Sequence, residues 1–284
     1  MITFVATAFA LIAFAANSLL CRMALDGGLI DPVSFTSVRL VSGAIALFII
    51  SRFFDKSKES DKSSGSWISG ISLFVYAAAF SLAYVTLSTG TGALMLFGAV
   101  QVTMISRALQ SGEQLGYFQW SGLVIAVAGL THLLLPGISA PDPIGALLMC
   151  VAGIAWGVYS IRGKKSTMPV AMTAGNFRRS APFALLASVA AISALHLEWQ
   201  GIFIALVSGV VTSGIGYVLW YIALPGLRTS TASIVQLIVP VLATVAGILF
   251  LSEELSLRLI VSSILILGGI AMQKASLPSW KLSG

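Results

Sequence analysis

Ten apolar stretches, separated by polar breaks mostly a few residues long, account for nearly the whole chain. They lie at roughly residues 2 to 25, 32 to 53, 67 to 88, 91 to 109, 117 to 135, 143 to 161, 170 to 195, 200 to 223, 229 to 251 and 256 to 275. A helix needs about 20 apolar residues to cross the hydrocarbon of a bilayer, and these runs have that length. Alternating ten-residue strands are not what they look like, and lipid requires a span to satisfy its own backbone, so helices are expected. The pattern predicts an all-α membrane protein of ten transmembrane helices. The one substantial polar break, Asp55 to Ser66, reads as a flexible loop and leaves no room for a soluble catalytic domain.

The order of features repeats. From Tyr84 an apolar helix end, a Ser-Thr-Gly-Thr turn, a second apolar helix and an acidic break at Glu113 follow one another; from Tyr221 the same plan runs through Pro225-Gly226 to Glu253. The offset is 137 residues at the tyrosines and 140 at the glutamates, close to half of 284. Ala15-Ala16-Asn17 with Arg22 likewise matches Ala155-Trp156-Gly157 with Arg162, and Pro32-Val33 matches Pro169-Val170. Two five-helix units are therefore expected, residues 1 to 140 and 141 to 284. Five is odd, so the second unit enters the membrane from the opposite side, an inverted repeat.

Composition agrees: 57% of residues are hydrophobic and 9% charged, where soluble domains carry roughly 25% charged residues. The net charge of +6 resides in scattered short loops rather than in a basic domain, which argues for cytoplasmic loops and against nucleic acid as a partner. With the N-terminus inside, Arg52, Lys56, Lys58, Lys62, Arg107, Arg162, Lys164, Lys165, Arg228, Lys274 and Lys281 are cytoplasmic, and only Arg22 and Arg258 lie outside. Both termini are then cytoplasmic. The run from Ile2 has no leading Lys or Arg and exceeds a signal-peptide core, so it reads as a retained first span. Cys21 and Cys150 sit in apolar runs as small core residues, and no redox chemistry, metal or cofactor is expected.

The ten spans, the matched halves, Trp156-Gly157 early in the second half, and the breaks Gly112-Glu113-Gln114-Leu115 and Ser252-Glu253-Glu254-Leu255 resemble the EamA-type drug/metabolite transporters over essentially the whole chain. The first half departs from the family pattern, with Ala16-Asn17 where Trp-Gly is usual. Within the superfamily the chain looks most like the YddG-type amino acid exporters of bacterial inner membranes. That resemblance implies export of aromatic and other amino acids through a central cavity lined by helices 1, 3, 4, 6, 8 and 9.

Tyr76, Phe80 and Tyr84 recur every four residues, so they share one face of the third helix. Such a stripe packs against lipid or helices, or it forms a cavity wall that stacks on an apolar substrate. Tyr217, Trp220 and Tyr221 occupy the matching part of the eighth helix, although Trp220 and Tyr221 near a helix end also fit interfacial anchors. Trp67, Trp120, Trp199 and Trp280 lie near span ends, as an aromatic belt requires; Trp156, with Tyr159 three residues on, lies deeper and is a substrate candidate or a packing residue. Asn17, Gln101, Asn176 and Gln236 are deep polar groups that bridge helices or line a wet cavity. The resemblance puts Asn17 and Gln236 on cavity-lining helices, whereas Gln101 fits bridging and lining equally.

Arg39 lies seven residues past Pro32, about 10 Å into its helix at 1.5 Å per residue. Snorkelling is the simpler account of it and of Arg178 and Arg179; the sharper one is that Arg39 attracts a substrate carboxylate. All ten acidic residues fall in loops or at span ends, as do His132 and His196, so no mid-membrane proton carrier is available and facilitated transport is expected. Glu113 and Glu253 are expected to cap the helices that follow them. Small residues at Ser208, Gly209, Thr212, Ser213 and Gly216 permit close helix approach, Gly90, Gly92 and Gly98 loosen the fourth helix, and Pro240 breaks a backbone bond in the ninth. An intramembrane enzyme needs a buried nucleophile and base that these spans do not offer. The expected function is a monomeric inner-membrane carrier of small organic solutes, amino acids foremost. Other metabolites, hydrophobic drugs or a receptor role are the alternatives.

Overall fold

The computed structural model describes residues 2–54, 65–112, 116–135, 140–164 and 168–275. Among them are ten helices: α1 (Ile2–Asp26), α2 (Pro32–Phe54), α3 (Trp67–Ala83), α4 (Thr89–Gln110), α5 (Tyr117–Leu134), α6 (Pro143–Gly163), α7 (Pro169–Ala190), α8 (Trp199–Gly226), α9 in two pieces (Thr229–Val235 and Ile238–Leu251) and α10 (Leu257–Ala275). Six of them, α1, α2, α4, α6, α8 and α9, are long and apolar enough to cross a membrane individually. The described residues contain no β-strand, only the isolated antiparallel bridge between Ile30 and Leu197. The protein is an all-α, multi-pass membrane protein, as the apolar pattern predicts.

Local chemistry explains where the helices begin. Pro32, Pro143 and Pro169 each open a helix, at the position where a missing N–H costs nothing. The side chains of Ser66 and Asp142 accept from the Ser69 and Gly145 N–H groups at the starts of α3 and α6. Asp31 takes the Val33 and Ser34 N–H groups at 3.0 and 2.9 Å and the His196 N–H at 3.1 Å. Burial alone would raise its pKa, but hydrogen bonds from Ser34, His196 and Val33 hold it below the usual carboxylate range. The loop before α2 is thereby tied to the loop before α8, with the Glu198 N–H donating to the Leu29 carbonyl at 2.8 Å.

Helices of the two halves interleave. α2 packs along α7, α5 along α10, α3 against α6 and α7, and α4 against α6 and α9; α1 packs on α8 and α9, and α2 on α8. Exchanging each helix for the one five places along maps these pairings onto one another. Apolar side chains such as Phe4, Phe9, Ile45, Val124, Leu186, Phe203, Leu249 and Phe250 remain exposed around the bundle, as lipid contact requires.

Two helices depart from regular geometry. α8 runs as α-helix over Trp199–Val207, as π-helix over Ser208–Ile215, returns to α-helix over Gly216–Ala223 and ends in a 3-10 turn. α9 breaks at Gln236 and Leu237 because Pro240, four residues on, has no N–H for the Gln236 carbonyl. That carbonyl accepts the Val239 N–H instead, at 3.1 Å. The expected loosening of α4 is corrected: α4 is uninterrupted, and Gly90 is needed because a Cβ there would run into Thr244 of α9.

Candidate functional site

The stripe spacing on α3 and the aromatic residues of α6 and α8 converge in the centre of the bundle. Trp156 lies 5.1 Å from Phe14, 5.0 Å from Tyr76, 5.5 Å from Tyr159 and 4.7 Å from Tyr217, between ring centroids. All five rings are buried. This box draws on α1, α3, α6 and α8, and so on both halves of the chain. From it a series of ring contacts runs along α3 through Phe80 to Tyr84, at 5.3 and 4.7 Å. In the other direction it runs from Tyr159 to Tyr221 at 5.1 Å. Tyr84 and Tyr221, which the sequence pattern pairs with one another, terminate the two arms. Trp220 and Tyr221 are not interfacial anchors: both are fully buried, with the Trp220 Nε1 donating to Ser160 Oγ at 3.1 Å and the Tyr221 hydroxyl to the Tyr159 carbonyl at 3.1 Å.

Polar groups border the box on two sides. Asn17 Oδ1 accepts from Ser208, Thr212 and Ser213 hydroxyls at 2.7, 3.0 and 3.5 Å, and its Nδ2 donates to the Tyr76 hydroxyl at 3.4 Å. The π-helical turn of α8 matters here, since it brings Ser208, Thr212 and Ser213 onto one acceptor. Opposite, Trp156 Nε1 donates to Gln236 Oε1 at 2.8 Å, and Gln236 Nε2 donates back to the Ala232 carbonyl at 2.9 Å beside the break in α9. Gln101 lies elsewhere, lining a small cleft with Leu123, Ala126, Leu130 and Ile266 where α4 meets α5 and α10. Asn176 bridges helices, its Oδ1 accepting the Ser66 N–H ahead of α3 at 3.0 Å.

Arg39 overturns the snorkelling account. Its side chain is fully buried because α2 turns it inward between α3 and α8. Nε donates to Ser213 Oγ at 2.8 Å, and Nη2 donates to the Tyr217 and Tyr76 hydroxyls at 2.6 and 3.3 Å. The guanidinium carbon lies 5.2 Å from the Tyr76 ring centroid and 5.2 Å from that of Phe80. Gly209 makes this placement possible, for a Cβ there would strike Ser42 and the Arg39 carbonyl. A charge a third of the way into an apolar span was the sequence signal; which way the helix faced was not in it. Arg178 and Arg179, by contrast, are exposed and half-buried, as snorkelling requires.

The Tyr84 end departs from the expectation that Glu253 caps its own following helix. Glu253 does not cap α10, the helix that follows it; its carboxylate accepts the Thr89 N–H at 2.8 and 3.0 Å and the Thr89 hydroxyl at 2.9 Å, at the start of α4. Ser252, at a left-handed φ of 54°, turns the chain back so that the Glu253 N–H reaches the Gly247 carbonyl. The attraction for a positive helix end is the expected one, but tertiary packing supplies a different helix. Arg22 stands beside it, 3.7 Å from Glu253, paired with Asp26 at 2.6 Å and donating to the Tyr84 and Val85 carbonyls at 3.0 Å. Glu113, the matching glutamate, lies outside the described residues. Glu253→Ala is expected to destabilise the protein by about 1 kcal/mol, the usual worth of a helix cap, and Glu253→Gln by less. Unchanged thermal unfolding of Glu253→Ala in detergent refutes the cap.

Comparison with known proteins gives the following. Residues 1–135 and 143–273 each match the EamA-like transporter family. An uncharacterised protein of Pseudomonas aeruginosa is 48% identical over 270 residues, 95% of this chain and 93% of its own. The uncharacterised transporter YoaV of Bacillus subtilis is 27% identical over 258 residues, 86% of this chain and 87% of its own. The threonine/homoserine exporter RhtA of Escherichia coli is 27% identical over 234 residues, 80% of this chain and 77% of its own. A solved crystal structure, 19% identical, superposes with a TM-score of 0.67 over 96% of this chain and 99% of that one, a likeness of fold alone.

Proposed function

This chain belongs to the EamA-like transporter family, and we propose that it exports amino acids, preferring those with aromatic or apolar side chains, by alternating access around the aromatic box. It is a transporter of small molecules and not an enzyme. The observation that carries the substrate reading is the series of ring contacts from Tyr84 through Trp156 to Tyr221, bordered by Asn17, Arg39 and Gln236. Rings stack on apolar side chains, and hydroxyl, amide and guanidinium groups take the polar end of a zwitterion. The relative named as a threonine/homoserine exporter supports amino acids as the class, while the box favours larger side chains than threonine.

The two halves divide near residue 140 and act as inverted units. The exchange-symmetric helix pairings support this, and rocking one unit against the other would expose the box to each side in turn. The irregular stretches of α8 and α9 are the bending elements in this reading. In this reading the protein is a monomer of the inner membrane, and the Lys and Arg distribution supports both termini being cytoplasmic. No carboxylate belongs to the buried set among the described residues, which supports facilitated export down the substrate gradient.

Purified protein in liposomes tests the assignment with labelled phenylalanine, tryptophan, leucine, threonine and homoserine. Flux of the first three is expected to exceed that of the last two, and an imposed pH gradient alone is expected to drive no uphill accumulation. Transport of none of the five removes the amino acid assignment, faster threonine flux removes the aromatic preference, and accumulation driven by the pH gradient removes the facilitated mechanism.

A further inference from the structure

We infer that Arg39 is the receptor for a substrate carboxylate, through the two N–H donors of Nη1 that the protein leaves unbonded. The inference rests on the reading of the box as the substrate site and adds the chemical group that the substrate must carry. A guanidinium has five N–H donors. In this protein Nε and Nη2 are engaged by Ser213, Tyr217 and Tyr76, all neutral hydroxyls. Nη1 makes no hydrogen bond and is sealed from solvent. Among the described residues no Asp or Glu is buried, so the cation has no carboxylate partner within the bundle.

A permanently charged group held in that way is expensive, because hydroxyl dipoles replace water only in part and a free donor is left over. A site built only for packing has no need of it. An arriving carboxylate would meet a planar donor already oriented by three hydroxyls and form a charge-assisted pair in a low-dielectric setting. The same two tyrosines that hold Arg39 stand against Trp156, at 5.0 Å for Tyr76 and 4.7 Å for Tyr217. One ligand can therefore place its carboxylate on Arg39 and its apolar group on the rings. Arylalkyl carboxylates, aromatic amino acids among them, have that shape. Because Nη1 is closed off in the conformation described, the carboxylate reaches it only when α2 and α8 separate.

The experiment uses the full chain in detergent, titrated with 3-phenylpropionate and with its neutral counterpart 3-phenylpropanol, binding being read by thermal shift and tryptophan fluorescence. The wild type is expected to prefer the carboxylate by at least about tenfold, Arg39→Gln to abolish the preference, and Arg39→Lys, which keeps charge without the planar fork, to retain part of it. In liposomes the KM for phenylalanine is expected to rise about tenfold or more in Arg39→Gln. No preference for the carboxylate in the wild type, or the same preference in Arg39→Gln, overturns the inference. Should Arg39→Gln fail to fold, an undiminished preference in Arg39→Lys overturns it equally. Absence of phenylalanine transport together with Arg39-dependent 3-phenylpropionate binding removes the amino acid reading and upholds the carboxylate site. Phenylalanine transport with an unchanged KM in Arg39→Gln does the reverse.

Discussion

Trp156→Ala is expected to lower the stability of the purified protein by about 3–5 kcal/mol, the cost of deleting a buried tryptophan. Inside a bilayer, helix association depends on close packing rather than on removal of apolar surface from water, so a cavity in the middle of the bundle is felt directly. Trp156 touches rings from three other helices and one on its own, Phe14, Tyr76, Tyr217 and Tyr159. Its loss also leaves Gln236 Oε1 without the donor it has at 2.8 Å. Trp156→Phe separates these effects. It keeps a six-membered ring in place while removing the Nε1 bond, worth about 1 kcal/mol, and part of the indole volume, so its loss is expected to fall well short of that of Trp156→Ala. Denaturant titration in detergent measures both, and counterflow of phenylalanine should fall severalfold more in Trp156→Ala than in Trp156→Phe. If Trp156→Ala unfolds with the wild-type midpoint, the box is not a packed element and the ring path has no structural basis.

Asn17→Leu is the second large effect, expected at about 1–3 kcal/mol because it strips one buried acceptor from three hydroxyls at once. Ser208, Thr212 and Ser213 all point at Asn17 Oδ1, and Ser213 is also the acceptor for Arg39 Nε. Removing Asn17 therefore reaches Arg39 through a shared partner, and the two substitutions should not be additive. A double-mutant cycle with Arg39→Gln, read by thermal unfolding, measures the coupling. Strictly additive losses exclude a common network. Leu has the same branched heavy-atom skeleton as Asn, so packing alone predicts a smaller loss than the polar account.

Much of this architecture is legible in the sequence. Runs of about 20 apolar residues have no stable arrangement in lipid except a helix that bonds its own backbone, so an all-α membrane protein follows from the apolar pattern. Pro32, Pro169, Tyr84 and Tyr221 mark turns that recur along the chain, and both stretches, 1–135 and 143–273, match the same family. The four-residue recurrence of Tyr76, Phe80 and Tyr84 places them on one face under any helical geometry, and that face lies inward. Pro240 announced the break in α9, since a missing N–H has a local consequence.

Other features were open until the helices were packed. The sign of Arg39 was plain, but its direction depended on how α2 is rotated about its axis. Periodicity cannot supply that rotation when every face of a span is apolar. Glu253 carried an evident affinity for a helix N-terminus, and only the fold selected α4 over α10. Gln101 and Asn17 look alike in sequence, each a lone amide in an apolar run. One faces α5 and α10 and the other the aromatic box. The π-helical turn that gathers Ser208, Thr212 and Ser213 has no sequence signature beyond a row of small residues. The chain by itself thus determined the helical membrane class and the shared face of the α3 stripe, because solvation and backbone bonding act within a segment. Only the tertiary structure decided which polar groups meet, because hydrogen bonds and ion pairs between helices depend on rotations and contacts that no single segment encodes.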